Sequence, residues 1–292
     1  MNKTIGNPIS FIAGALRGGT HYLSDGVKDL QSTEEVPIEI RDLHIADLTY
    51  ALRKGFDDFL SMRTDVMFVA LIYPVIGLLL TWFAVNQELL PMLFPLVSGF
   101  ALLGPFFAVG LYELSRRKEA GLDSGWSYAF DVVKSPSLIS IIVLGGYLFA
   151  VFVIWMLMAY WIYGLTLGPK PPISASIFLT DVFTTTAGWM MLGSGLLIGF
   201  VFAAMMLAIS VVSFPMLLDR HVGVPKAVIT SVRVTLRNPV IISLWGATVV
   251  GLLGFGIITL FVGLIVVLPI LGHATWHLYR QAVVQPEPLD PR

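Results

Sequence analysis

Two histidines near the end of the chain have the spacing that chemistry could use. His273 and His277, in "GHATWHLYR", are four residues apart and so share one face of a helix. Two imidazoles so placed are a known metal-ligand pattern. No carboxylate accompanies them on that helix, and Trp276, Tyr279 and Arg280 beside them read as an interfacial belt, so we expect neither a metal nor another cofactor. His21, His44 and His221 lie outside every apolar run, which excludes a haem–copper centre built from histidines on several membrane helices. The chain has no cysteine, so thiolate metal sites, Fe–S clusters and a cysteine nucleophile are excluded as well. There is no G-x-S-x-G, H-E-x-x-H or P-loop. The loop 168–188 offers Asp181 among several hydroxyl residues. Its apolar middle, "ISASIFLTDVF", reads as a short helix on the outer membrane face, a place for packing or partner contact.

The elements that must position these residues follow from composition. Of 292 residues, 56% are hydrophobic and 13% charged, a balance that soluble domains rarely reach. The net charge of −1 argues against a nucleic-acid binder, which needs a basic face. A spanning helix takes about 20 apolar residues. Runs at 67–86, 90–112, 138–167 and 188–218 meet that length, and the run from Pro239 to about Leu278 is twice as long as one crossing needs. Folding it back between Phe261 and Gly263 gives spans 239–261 and 263–281, six in all.

Basic residues test that count, because Lys and Arg concentrate on the cytoplasmic side of membrane helices. With both termini cytoplasmic, seven of the 18 precede the first span, four lie between the second and third, four between the fourth and fifth, and two at or after the end of the sixth. Only Lys170 falls on the other side. Arg116, Arg117 and Lys118, where the second run stops, then read as cytoplasmic lipid-headgroup anchors, together with Lys226, Arg233 and Arg237.

Each cytoplasmic segment ahead of a helical hairpin carries a short amphipathic stretch: 47–60, 125–135 and 223–239. In the first, Leu48, Ala51, Leu52, Phe56, Phe59 and Leu60 form the apolar side, with Arg53, Lys54, Asp57 and Asp58 opposite. Such helices either lie in the membrane interface or pack under the bundle as connectors. The predicted fold is therefore an all-α integral membrane bundle of six helices, built as three repeats of amphipathic helix plus transmembrane hairpin. Small residues are expected to let its helices approach: Gly104 with Ala108, Gly146 with Ala150, and Gly195 with Gly199. The domain plan is a cytoplasmic tail at 1–45, the membrane domain at 46–283 and a C-terminal tail at 284–292. No span carries a charge at its middle, which weighs against ion-coupled transport.

Three segments carry a resemblance: "RTDVMFVALIYPVIGLLL" (63–80), "PLVSGFALLGPFFAVGLYELSRRKEAGL" (95–122) and "LPILGHATWHLYRQAV" (268–283). They resemble the bacterial DUF2189 family of integral membrane proteins over roughly residues 40–284. The resemblance implies a multi-pass protein of the bacterial inner membrane and brings no catalytic residue. Some members are labelled cytochrome c oxidase subunits, which fits an accessory role and not a catalytic one. The function expected from the sequence is a non-catalytic accessory, assembly or scaffold subunit of a larger membrane complex, with respiratory or other electron transfer as its setting. Its partners would be membrane lipids and other integral membrane subunits, without nucleic acid. Two alternatives stay open. One is a transporter or channel for a small neutral or lipid-like molecule, and the other is a lipid-modifying enzyme using Asp181 or His277.

Overall fold

The structure is a computed structural model describing residues 38–70, 75, 77–79, 81, 82, 89–220 and 222–284. Among them the chain is all-helical apart from one antiparallel bridge, Ile40 to Val283. Three helices are long and apolar enough to cross a membrane: Leu138–Leu165, Thr186–Asp219 and Pro239–Ile258. Half of the first expected span, 67–86, lies outside the described residues, as do all of residues 1–37 of the N-terminal tail and residues 285–292.

Helix α1 (Ile45–Ala70) joins the first amphipathic stretch to the start of the first apolar run in one continuous piece of 26 residues. Its buried stripe is Leu48, Ala51, Gly55, Asp58, Phe59 and Met62, steps of three and four that give one helix face. The second run is broken into α2 (Leu90–Leu102), α3 (Gly104–Phe107) and α4 (Val109–Glu119). Pro105 explains the break, since it has no N–H to give Ala101 and its ring crowds that carbonyl. The chain tightens there into three-residue turns, Leu103 N to Phe100 O at 3.1 Å and Phe106 N to Leu103 O at 3.1 Å. The second amphipathic stretch is a 3₁₀ helix, Trp126–Lys134.

Then come α5 (Leu138–Leu165), α6 (Ala175–Thr184) and α7 (Thr186–Ser210). The short helix expected within the loop 168–188 is α6; it is capped by Ser174, whose hydroxyl accepts from Ile177 N at 3.2 Å. Pro215 interrupts the fourth run much as Pro105 does the second, and α8 (Ser213–Asp219) follows the break. Ser231 occupies the gap: its hydroxyl accepts from Val212 N at 3.1 Å and donates to Ala208 O at 2.7 Å. Ser231 belongs to α9 (Val224–Arg237), the third amphipathic stretch. The last two helices are α10 (Pro239–Ile258) and α11 (Leu264–Ala282). The turn between them agrees with the fold-back read from the sequence, and Leu260 (φ 55°) and Phe261 (φ 65°) adopt the left-handed conformation to make it. Thr259 secures that turn by accepting from Gly263 N at 3.0 Å.

The core lies where α1, α4, α8, α9 and α11 meet, and Leu144 and Leu148 of α5, Met206 of α7 and Trp245 of α10 belong to it as well. Tyr112, Phe214, Met216, Leu217, Val234, Trp276, Leu278 and Tyr279 are at most 1% exposed there. The long helices α5, α7 and α10 instead leave apolar side chains uncovered, among them Ile154, Trp161, Leu197, Phe200, Val250 and Ile258, as lipid-facing surfaces require. Helix α11 runs antiparallel to α1. Arg41 N donates to Ala282 O at 2.9 Å, and further along the pair Gly55 meets Ala274 so closely that a Cβ on Gly55 would lie 2.6 Å from the Ala274 nitrogen. The first amphipathic stretch is thus half of a buried helix pair.

Candidate functional site: a buried carboxylate shared by three helices

The α1–α11 pair and α4 enclose the histidines found in the sequence. Asp58 of α1, 4% exposed, is the centre. Its Oδ1 takes the Lys118 ammonium at 2.8 Å. Its Oδ2 accepts from the Ser115 hydroxyl at 2.8 Å and lies 2.8 Å from His277 Nε2. Ser115 Oγ in turn lies 2.8 Å from His273 Nδ1. Lys118 also donates to Ser61 Oγ at 2.6 Å, one turn beyond Asp58 on α1. Both histidines therefore do share a face of α11, and what they face is a carboxylate from another helix.

The protons follow from valence. Burial alone would raise the Asp58 carboxyl, but hydrogen bonds from His277, Lys118 and Ser115 outweigh it and hold the group well below the usual carboxylate range. Asp58 is thus an anion that only accepts. The single Ser115 proton goes to it, so Ser115 Oγ accepts from His273 Nδ1–H, which fixes that tautomer. His273 Nε2 is then a bare nitrogen, fully buried and without a hydrogen-bond partner among the described residues.

Serine, histidine and aspartate invite comparison with a nucleophilic triad, and the order of contacts rules that out. A triad places histidine between the acid and the serine so that imidazole can take the hydroxyl proton. Here serine stands between the carboxylate and the histidine, its proton is already committed, and Ser115 is 1% exposed. The cluster can tie three helices together; it cannot present a nucleophile.

Asp58 corrects the sequence reading, which set it with Asp57 on the polar side of 47–60. Asp57 is exposed, whereas Asp58 falls on the buried stripe between Gly55 and Met62. The spacing carried that signal; the charge masked it. The sequence marks Lys118 as a lipid-headgroup anchor and gives Ser115 no role, because the partners each meets here lie 57 or more residues away.

The six basic residues marked as lipid anchors separate into two groups. Arg116 grips Glu113, itself 3% exposed, through two contacts of 2.7 and 2.8 Å. Arg117 stacks on the Tyr128 ring at 3.9 Å and donates to the Asp123 carbonyl at 2.6 Å, and Lys118 is held by Asp58. Arg237 pairs with Asp42 at 2.6 and 3.0 Å. Lys226 is half-buried, and Arg233 is exposed. The basic stop after the second run is therefore tied to partners within the protein, with Arg116 and Lys118 still more than a third exposed. Further pairs continue this layer: Tyr279 donates to Asp219 at 2.6 Å, and Trp276 to Glu119 at 2.9 Å.

Of the small residues expected at helix contacts, Gly199 meets the Trp155 ring, where a Cβ would lie 3.0 Å away. Gly104, Gly146 and Gly195 face open space. Close approaches occur instead at Gly55 against Ala274, Gly145 against Phe106 and Gly272 against Leu111. Asp181 lies in α6, away from the cluster, and its carbonyl accepts from Thr185 Oγ1 at 2.6 Å. Among the described residues no group of three or more His, Asp or Glu side chains is placed to hold a metal ion.

Comparison with known families agrees with the helical membrane architecture. Residues 93–219 match the family described as "Predicted integral membrane protein (DUF2189)". The match takes in α2 to α8, and with them Ser115 and Lys118. Of the three segments that carried the resemblance, 95–122 lies inside it, while 63–80 and 268–283 lie outside, as do Asp58 and both histidines. No curated protein and no solved structure matches the chain.

Proposed function

We propose that this integral membrane protein is a non-catalytic accessory, assembly or scaffold subunit of a larger membrane complex. One observation carries the reading. The residues best suited to chemistry, Asp58, Ser115, His273 and His277, are spent on each other in a buried tie between α1, α4 and α11. That tie fixes the end of the bundle from which the lipid-facing helices extend, a rigid platform suited to holding neighbours in place. Six spans with both termini in the cytoplasm, in a bacterial inner membrane, complete the proposal. The electron-transfer setting rests on the family resemblance alone.

The test is purification of a chromosomally tagged copy from native membranes in mild detergent, followed by mass spectrometry and a visible absorption spectrum. Stoichiometric copurification of other membrane subunits is the expected result, and haem or another pigment among them would establish the electron-transfer setting. A protein that emerges alone and drives solute flux in liposomes above empty vesicles would overturn the proposal in favour of a transporter.

A further inference from the structure

Helix α9 (Val224–Arg237) has two unlike faces. Ala227, Thr230, Ser231 and Val234 are buried against the bundle. On the other side Ile229 is 49% and Leu236 74% exposed, with the exposed Arg233 between them. Steps of four and three residues put these three on one stripe. Asn238 (φ −125°, ψ 51°) ends α9 and begins α10, on which Val240 is 68% and Leu244 41% exposed. Since α10 is one of the helices able to cross a membrane, its exposed apolar side chains face lipid, and α9, joined to its start through Asn238 alone, lies next to the membrane surface.

Charge decides what meets this extension. Helix α9 holds Lys226, Arg233 and Arg237 and no acidic residue. Arg237 is already matched by Asp42, whereas the described residues offer Arg233 no carboxylate. An arginine flanked by apolar side chains, about two turns before the first lipid-facing residue of a span, lies at headgroup depth, where it can bury its stem and direct its guanidinium to a phosphate.

We infer that the exposed face of α9 binds the headgroup of an anionic phospholipid, with Arg233 on the phosphate and Ile229 and Leu236 against the acyl chains. An isolated cation at this depth gives about a fivefold preference for anionic over zwitterionic lipid.

The experiment is native mass spectrometry of the detergent-purified, delipidated full-length protein titrated separately with phosphatidylglycerol and phosphatidylcholine. The expected result is an apparent Kd about fivefold lower for phosphatidylglycerol, retained in R233K and abolished in R233Q. R53Q, which removes an exposed arginine from the acid-bearing helix α1, leaves the preference unchanged. Retention in R233K shows that loss in R233Q is not unfolding. Equal affinity for the two lipids, or a preference that survives R233Q, overturns the inference. So does an R233Q variant that loses a copurifying protein while its lipid preference stays intact, since the face would then belong to a protein partner.

Discussion

Replacing Asp58 with Asn tests the buried tie with almost no change in shape. The substitution removes the charge that organises Lys118, His277 and Ser115 and leaves one neutral acceptor oxygen in place of two anionic ones. Removing one member of a buried ion pair costs about 3–5 kcal/mol when the other charge stays buried. Here the Lys118 side chain is 36% exposed, so its ammonium regains water, and the new amide oxygen still accepts from one donor. The expected loss is therefore about 2–3 kcal/mol, or roughly 3–5 °C in Tm for a chain of 292 residues. Thermal unfolding followed by tryptophan fluorescence in one detergent reads it. A D58N midpoint within about 1 °C of the parent would refute the reasoning, because it would mean the carboxylate carries no net share of the packing of α1 on α4 and α11.

Other expectations follow from the same contacts. Asp58 titrates in the folded protein below its unfolded value, so its contribution is present above about pH 4 and is lost as pH falls below that; an acid-unfolding series should show the parent losing stability there and D58N losing less. Ser115→Ala removes one donor from Asp58 and the acceptor of His273, costing about 1–2 kcal/mol in the same thermal assay, and it leaves copurification of partner subunits intact. Asn238→Ala costs about 2–3 kcal/mol, because the Asn238 side chain accepts from Leu43 N at 2.7 Å and donates to Arg41 O and Val234 O at 3.1 Å each. Gly55→Ala forces the α1–α11 backbones apart at a cost of about 2 kcal/mol or more, whereas Gly195→Ala, into open space, is neutral or stabilising by up to about 1 kcal/mol in the same assay.

The helical layout was legible because apolar run length and turn position are local properties. The fold-back near Phe261 could be read from an apolar run too long for one crossing, and the short helix 175–184 from an apolar stretch between polar ends. The breaks after Leu102 and Ser210 were also visible in principle, through Pro105 and Pro215, once loss of the N–H is weighed against the length of the run. Tertiary partners were not legible. Nothing local distinguishes Gly55, pressed on Ala274, from Gly104, which faces open space. Asp58 shows the limit most clearly: its position on the stripe was readable, but a buried aspartate is tolerable only when cations and donors from other helices reach it, and these come from 57 and 219 residues away.

The most direct test of the accessory reading is the size of the assembly in native membranes. Blue native electrophoresis of membranes solubilised in mild detergent, with detection of the tagged 32.0 kDa chain, should find it in a defined band well above its own mass that contains other membrane polypeptides. A band at the mass of the chain with its detergent alone, unchanged across gentler detergents, would contradict the account.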